Sequence, residues 1–281
     1  MTYTSSPILR FGIIADPQYA DIAPHTAMNR HYASSLAKLT VAIDVFNATE
    51  LDFVMTLGDI IDRDWKSFDD ILPVYRPLRH KALFLLGNHD FAVAPEYLGA
   101  VAERLGMPGR YYDFAIGRFR FVVLDGSDIS TFSAPPGDPR TVLATERLAA
   151  LVEDGAINAQ TWNGSLSETQ FAWLAGVMET AQASGETVFV FGHYPLFPPN
   201  SHNMWDSERI IALITGFACF RGYFNGHNHE GNFGAVDGRP FVTFKGVVDT
   251  PDENTFAIVD VFEDRIEING FGREESRVLS A

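Results

Sequence analysis

Five short segments of this 281-residue chain place Asp, Asn, Gln or His directly after an apolar run. They are ADPQ (15–18), LGDIID (57–62), LGNHD (86–90), FGHYP (191–195) and NGHNH (225–229). Apolar runs of this length, rich in β-branched residues, are typical of buried strands. The loops beyond the carboxyl ends of such strands converge on one crevice of an open α/β sheet. The five segments therefore predict an α/β fold with a polar site at one edge of the sheet.

The polar residues of these segments are of the kinds that bind divalent cations through oxygen and imidazole nitrogen. The candidate ligands are Asp16, Gln18, Asp59, Asn88, His193, His227 and His229. Two divalent ions about 3.5–4 Å apart can share a carboxylate, polarise phosphate oxygens and lower the pKa of the attacking water. Asp59 lies in the middle of the ligand order and is expected to bridge the two ions. One Asp or His after a strand often only caps a loop, so the prediction depends on all five segments together.

Two further residues of the LGNHD segment are candidates for catalysis. His89 follows Asn88 and is expected to donate a hydrogen bond or a proton to the phosphate or to the leaving-group oxygen. Asp90 is placed to orient the His89 imidazole. Asp62 has two equally weighted interpretations, a partner of the site residues or a loop cap.

Asp125 and the remaining histidines carry weaker signals. Asp125, after FVVL, is expected to be structural or to support the site rather than to bind metal. His25, His31 and His80 are expected near the surface. His202 stays open because it lies near the loop that carries His193.

Composition limits the classes of partner. With 46% hydrophobic residues the chain can bury a sizeable core. The formal charge of −15 argues against duplex nucleic acid and against an anionic membrane surface. Cys219 is the only cysteine, which excludes an internal disulfide and a thiolate metal site. It is expected to be a small buried hydrophobe. Two divalent metal ions are the predicted cofactors and a small phosphate compound is the predicted partner.

Residues 8–14 form a run of strand length, too short for a signal peptide or a membrane span. A cytoplasmic location is therefore expected by default. Strand-like and helix-like segments alternate in the first part of the chain, and after residue 218 the strands are predicted to form an antiparallel run. We expect one domain over 1–281. Residues 127–165 form a long, poorly patterned excursion, interpreted either as a wall of the substrate pocket or as an ordinary surface loop.

Longer stretches resemble a known family. The segments FGIIADPQYAD, RHYASSL (30–36), LGDIID, WNGSLSETQFAWL (162–174), GVVDTP (246–251) and FAIVDVFEDRIEINGFGR are similar to those of the calcineurin-like metallophosphoesterases. Within that family they resemble the manganese-dependent ADP-ribose/CDP-alcohol diphosphatases, in which Gln replaces the usual first-motif His. The resemblance covers most of the chain and is weakest over 127–160.

The resemblance implies a four-layer α–β–β–α sandwich, two mixed sheets flanked by helices, with a dinuclear centre between the sheets. One metal would be held by Asp16, Gln18, Asp59 and His229, and the other by Asp59, Asn88, His193 and His227. His89 would be the catalytic His. Arg30 matches a family Arg that could bind phosphate, although an exposed Arg at a helix start is an equal interpretation.

Two positions bear on the metal and on the nucleotide. Ala33 stands where the family often carries a second basic residue, so this chain lacks that contact. Gln18 offers a neutral, hard oxygen in place of imidazole, which shifts preference from Zn towards Mn or Mg. Manganese is therefore the expected metal, with Fe, Zn or Mg as alternatives.

The leading hypothesis is a dinuclear metal-dependent hydrolase that cleaves the phosphoanhydride of nucleoside-diphosphate-linked small molecules of the ADP-ribose or CDP-alcohol type. The alternative enzyme class is a phosphodiesterase or phosphomonoesterase acting on cyclic nucleotides or phosphoproteins, whose members normally keep a His where Gln18 stands. A third class is a non-catalytic metal-binding scaffold. Such scaffolds usually lose ligands or the catalytic His, and this chain has all of them.

Overall fold

The structure is a computed structural model that describes residues 6–280. Two six-stranded sheets are stacked face to face. The strands are β1 Leu9–Ile14, β2 Phe53–Thr56, β3 Ala82–Phe84, β4 Tyr112–Ile116, β5 Phe119–Val123, β6 Thr187–Phe191, β7 Phe220–Asn225, β8 Asn232–Val236, β9 Arg239–Thr243, β10 Thr255–Val261, β11 Arg265–Gly272 and β12 Arg277–Ser280.

The first sheet has the order β12-β11-β10-β1-β2-β3, and the second has the order β4-β5-β6-β7-β9-β8. Strands β1, β2 and β3 run parallel to one another, and so do β5, β6, β7 and β9. The remaining pairs are antiparallel, so both sheets are mixed. Each parallel set gathers the carboxyl ends of its strands at one edge.

Helices cover the outer faces of the sheets. The α-helices are α1 Ser35–Asn47, α2 Ser67–Ile71, α3 Val101–Arg104, α4 Pro139–Glu153, α5 Glu168–Ala183 and α6 Ser207–Thr215. Short 3₁₀ turns lie at Thr26–Met28, Tyr32–Ser34, Leu72–Tyr75, His89–Phe91 and Pro95–Ala100. Ser167 caps α5 by accepting a hydrogen bond from the Gln170 N–H at 3.1 Å, at the predicted capping-box spacing.

Three apolar clusters separate the four layers. The central one lies between the sheets and contains a stack of aromatic rings, in which Phe11 contacts Phe53 at a ring distance of 4.9 Å. A second cluster packs α1, with Ile43 and Phe46, against the first sheet. A third packs α5 and α6 against the second sheet. The predicted α–β–β–α sandwich is confirmed.

The antiparallel run predicted after residue 218 is wrong in part. Strand β7 pairs in parallel with both β6 and β9, and only the β8–β9 hairpin and β10–β12 are antiparallel. The Gly and Asn turns between these strands suggest hairpins, but they do not reveal pairing with a strand far away in sequence. The β4 strand, Tyr112–Ile116, was not predicted. That the whole chain 1–281 is one domain stays a prediction.

The excursion at 127–165 is an ordered part of the fold. It contains α4, and its two ends pair with each other through the backbone, where Ile129 and Ser165 exchange hydrogen bonds of 3.0 and 2.9 Å. The Trp205 N–H also donates to the Gly164 carbonyl at 2.8 Å. Among the described residues, no helix is both long and apolar enough to cross a membrane.

Candidate metal centre and active site

The loops that follow five strands meet at the edge shared by the two sheets. The first sheet contributes oxygen donors after β1, β2 and β3, and the second contributes imidazoles after β6 and β7. The residues brought together are Asp16, Gln18, Asp59, Asn88, His193, His227 and His229. All are buried except Asn88, which is partly exposed. All seven predicted ligands are thus in one cluster.

The backbone is strained at four of these positions. Asp16, Gln18, Asp59 and His227 have φ angles of 50°, 40°, 50° and 67°, in the left-handed region that residues other than glycine rarely adopt. Such conformations cost on the order of 1–3 kcal/mol each and persist where the surroundings hold them. Here the loops are tied to each other, since the Gln18 N–H donates to the Asp59 carbonyl at 2.7 Å. The left-handed conformation directs each of these side chains into the cluster.

The first group of donors surrounds Asp16 and Gln18. Gln18 Nε2 donates to Asp59 Oδ2 at 2.9 Å and lies 3.2 Å from His229 Nε2. His229 Nε2 also lies 3.5 Å from Asp16 Oδ1. These four side chains are the set that the resemblance assigns to one metal.

The second group of donors surrounds His193. Its Nε2 atom lies 3.3 Å from Asp59 Oδ2, 3.2 Å from Asn88 Oδ1 and 3.1 Å from His227 Nδ1. His193 Nδ1 lies 2.8 Å from the Leu57 carbonyl, so Nε2 is the nitrogen left to face the cluster. The Asp59 carboxylate belongs to both groups, as a bridging ligand would.

The donor atoms fit divalent cations. Ligand atoms of Asp59, His193 and His227 all lie within 4.8 Å of one another. Gln18 Oε1 is buried with no hydrogen-bond partner. Rotating the amide by half a turn would put this oxygen in the place of Nε2, beside Asp59 and His229. Buried polar atoms seldom stay unpaired in native proteins. A metal ion would satisfy these converging lone pairs.

The electrostatics of the cluster favour positive charge. Burial opposes ionisation of Asp59, but His193, His89 and His227 together outweigh it and hold the pKa of the carboxyl below its usual range. Burial also lowers the pKa of His193, yet Asp59 outweighs that effect and raises it to about 9. Burial and the neighbouring His193 keep the pKa of His227 well below its ordinary value. These shifts place a negative carboxylate beside imidazole donors, an environment that favours a cation.

One supporting residue was missed in the sequence. Asp249 Oδ1 lies 3.0 Å from His229 Nδ1, which leaves His229 Nε2 facing Asp16. The Asp249 loop is held by buried Lys38, whose Nζ donates to the carbonyls of Asp249 and Thr250 at 3.0 and 2.9 Å. A carboxylate behind a ligand histidine commonly sets its orientation and basicity. The signal available was only the Asp of the GVVDTP block.

The predicted role of Asp90 is wrong. Its carboxylate is buried and accepts backbone N–H groups from Gly87 and Ile60, at 2.9 and 2.8 Å. The 3₁₀ turn that starts at His89 directs Asp90 inwards, away from the imidazole. Asp90 holds the loops that carry Asp59 and Asn88.

Asp62 is the partner of His89, which decides between its two interpretations. His89 Nδ1 lies 3.1 Å from the Asp62 carbonyl oxygen and 3.3 Å from Asp62 Oδ1. The Asp62 carboxylate is held in turn by Arg63 Nε at 2.6 Å. His89 Nε2 is therefore the nitrogen free to act on a substrate, and the ring is 27% exposed on the open side of the cluster.

Arg30 and His202 lie on the open side of the cluster. Burial, His229 and Arg30 together lower the pKa of His202. The His202 ring lies 5.4 Å from that of His227. The Arg30 backbone pairs with that of Asp249, whose carboxylate contacts His229, so Arg30 and His202 both lie beside the cluster.

The other weak candidates lie outside the cluster. Asp125 is buried and paired with Arg110 Nε at 2.5 Å, in agreement with a structural role. His25 is exposed, whereas His31 and His80 are partly exposed. Cys219 is only partly buried, because it lies at the margin of the third cluster just before β7.

Comparison with known proteins identifies the family of the chain. The family model described as calcineurin-like phosphoesterase matches residues 9–231. The chain belongs to the calcineurin-like phosphoesterase family. Enzymes of this family are metal-dependent phosphohydrolases, and the cluster described above supplies the donors that such chemistry needs.

Relatives of this phosphoesterase align over nearly the whole chain. The chain is 29% identical to the manganese-dependent ADP-ribose/CDP-alcohol diphosphatase of Xenopus tropicalis, covering 97% of this chain and 94% of that protein. It is 27% identical to the protein of the same name from Homo sapiens, covering 99% and 94%. A crystal structure of a dimetal phosphatase from Danio rerio superposes with a TM-score of 0.85 at 26% identity, covering 98% of this chain and 99% of that one.

A glycine beside Asp59 yields a prediction for this phosphoesterase. A Cβ at Gly87 would lie 2.8 Å from Asp59 Cγ and closer still to Oδ1. Gly87→Ala must therefore displace the shared carboxylate, and we expect a loss of roughly tenfold or more in Mn²⁺ affinity, as for disturbed ligand support elsewhere. Titration calorimetry with Mn²⁺ measures this.

The control is Gly176→Ala in α5, where an added Cβ meets no atom within 4 Å. Alanine has the higher helix propensity, so this variant should melt at the same or a slightly higher temperature and bind Mn²⁺ like the parent. Equal Mn²⁺ affinity in Gly87→Ala and the parent would show that Asp59 does not need its observed position to bind metal.

Proposed function

We propose that this phosphoesterase hydrolyses the phosphoanhydride of a nucleoside-diphosphate-linked small molecule of the ADP-ribose or CDP-alcohol type. The observation that carries the proposal is the pair of donor groups that share Asp59, with His89 on their open side. The names of the aligned relatives, which specify these two substrate types and manganese, favour the diphosphate over other phosphate compounds.

The proposed ligand assignment follows the two groups. Asp16, Gln18, Asp59 and His229 would hold one divalent ion, and Asp59, Asn88, His193 and His227 the other. Bound divalent cations supply Lewis acidity that stabilises charge on the phosphoryl oxygens. Manganese is the proposed metal because Gln18 contributes a hard, neutral oxygen in place of an imidazole.

The chain's own residues act on protons and on substrate position. His89 is held at Nδ1 by Asp62, so Nε2 can donate a proton to the oxygen that leaves. Water forms the new bond to phosphorus and loses a proton to solvent, while the bond from phosphorus to the bridging oxygen breaks. The second phosphate leaves as a monoester, which is a better leaving group than an alkoxide. Arg30, on the open side, is the proposed contact for that second phosphate.

We also propose a small-molecule partner and a cytoplasmic location for the enzyme. The formal charge of −15 supports a small-molecule substrate rather than a nucleic acid or an anionic membrane. A cytoplasmic location is proposed on the composition of the chain, in which one cysteine is present.

A substrate panel tests the proposed reaction. Mn²⁺-loaded protein is assayed with ADP-ribose, CDP-choline, cyclic AMP and p-nitrophenyl phosphate, and the products are separated by chromatography. We expect a nucleoside monophosphate and a second phosphomonoester from the two diphosphates. Hydrolysis in ¹⁸O-labelled water identifies the phosphorus that is attacked, and chelator-treated protein is the control.

The outcome discriminates between the enzyme classes. If cyclic AMP or p-nitrophenyl phosphate is turned over with a kcat/KM tenfold above every diphosphate, about 1.4 kcal/mol in transition-state stabilisation, the diphosphatase proposal is wrong. If no member of the panel is hydrolysed by protein that has bound Mn²⁺, the alternative of a non-catalytic metal-binding scaffold gains support.

A further inference from the structure

A buried amide from the excursion reaches the metal cluster. Asn163, which is fully buried, places Oδ1 3.0 Å from His227 Nε2. Its other amide atom, Nδ2, donates to the carbonyl oxygens of Asn158 and Ser201 at 3.0 and 2.8 Å. Asn163 therefore joins three parts of the chain, namely the excursion, the loop after His193 and the loop after β7.

These contacts leave one orientation for the amide. Both Nδ2 hydrogens face carbonyl oxygens, which only accept hydrogen bonds, so the oxygen of Asn163 must be the atom that faces His227. An amide oxygen also only accepts. The contact with His227 Nε2 is a hydrogen bond only if that nitrogen carries the proton.

The proton on Nε2 decides what the other ring nitrogen can do. A neutral imidazole has one N–H group, so His227 Nδ1 keeps its lone pair. That atom faces the cluster, 3.1 Å from His193 Nε2. The alternative tautomer would direct an N–H group at the cluster and leave Asn163 Oδ1 buried without a donor, which carries a desolvation penalty.

The contacts of His227 with the Tyr194 ring and with Asp16 do not select the tautomer. The Tyr194 ring lies edge-on to His227 at a centroid distance of 4.6 Å, which restricts the position of the imidazole but not its proton. The His227 backbone N–H donates to Asp16 Oδ2 at 3.0 Å, which fixes the loop.

We propose that Asn163 is a positioning residue that sets the tautomer of His227 and so prepares Nδ1 as a metal ligand. The inference rests on the proposed metal assignment of His227. It gives the 127–165 excursion a role different from both interpretations of the sequence, because the excursion becomes part of the support of the metal centre. The pairing of its two ends at Ile129 and Ser165, together with the hydrogen bond from the Trp205 backbone N–H to the Gly164 carbonyl, holds Asn163 in place.

The first test needs no substitution. Long-range ¹H–¹⁵N NMR of the metal-free protein reports the tautomer of each histidine, and the His227 signals are assigned by their absence from His227→Ala. We expect the Nε2–H form for His227. A predominant Nδ1–H form would overturn the proposal, whether or not any variant folds.

The second test compares two asparagines of similar burial. Asn163→Leu keeps the side-chain size and removes the hydrogen bonds, so we expect a mixed tautomer at His227 and a loss of about 10–100-fold in affinity for Mn²⁺ at one site. The matched control is Asn203→Leu. Asn203 is buried in the loop after His193 and donates to the Leu196 and Pro198 carbonyls of that loop. It makes no hydrogen bond to a histidine of the cluster.

The control separates positioning from general stability. Asn203→Leu should lower the melting temperature while leaving the His227 tautomer and the Mn²⁺ affinity unchanged. Equal losses of affinity in both variants, or none in Asn163→Leu, would overturn the proposal. If the parent binds no Mn²⁺, the proposed function fails, whereas the tautomer of the metal-free protein still tests the role of Asn163.

Discussion

Asp59→Asn is expected to weaken metal binding at both sites and to lower kcat/KM by at least about 10²-fold, or 2.7 kcal/mol. The substitution keeps the shape of the side chain but removes the charge that two ions would share. In the structure Asp59 Oδ2 contacts the side chains of Gln18 and His193. Asp59 Oδ1 accepts a hydrogen bond from the backbone N–H of His89 at 2.8 Å. Elemental analysis after Mn²⁺ loading should fall from about two ions per chain towards none.

A surface Asp controls for the change of charge alone. Asp44→Asn, on the exposed face of α1, should leave stoichiometry and activity at the level of the parent. The bridging assignment fails if the parent binds one ion per chain and Asp59→Asn binds as much.

His89→Ala is expected to lower kcat by about 10²–10⁴-fold while the metal content stays near that of the parent. The reason is that His89 lies on the open side of the donor groups, held by Asp62, and acts on the substrate rather than on a cation. Steady-state kinetics and elemental analysis on the same preparation measure both quantities. His80→Ala is the control, because His80 contacts the Phe46 carbonyl, outside the cluster.

The neighbouring carboxylates refine this expectation. Asp62→Asn should lower kcat with little effect on folding, whereas Asp90→Asn should destabilise the loops that its carboxylate holds.

Loss of metal in His89→Ala would make His89 a ligand, and an unchanged kcat would remove it from the mechanism.

The ligand cluster could be predicted because strand order and strand direction decide it. Parallel strands put their carboxyl ends at one edge of each sheet, and the stacking of the two sheets then brings Asp16 beside His229. Each strand is marked by an apolar run, and each ligand follows within a few residues. The sandwich follows from the same pattern together with the family resemblance.

The supporting residues were harder to predict because their partners are set by loop conformation. Asp90 is next to His89 in sequence, yet a 3₁₀ turn separates their side chains, and Asp62 takes the role instead. Asp249 and Asn163 come from loops with no metal-binding pattern. The parallel pairing of β7 with β9 was missed because local turns carry no information on distant partners.

The division of donors between the two sheets has a consequence for how the enzyme matures. Oxygen donors come from the first sheet and all three imidazoles from the second, so a chain whose sheets have not docked offers only part of each proposed ligand set. With the proposed ligands, metal binding requires docked sheets and then holds the two sheets together. The folded, loaded state gains stability as the free ion exceeds its dissociation constant, and a partly folded or nicked chain remains inert towards phosphate compounds.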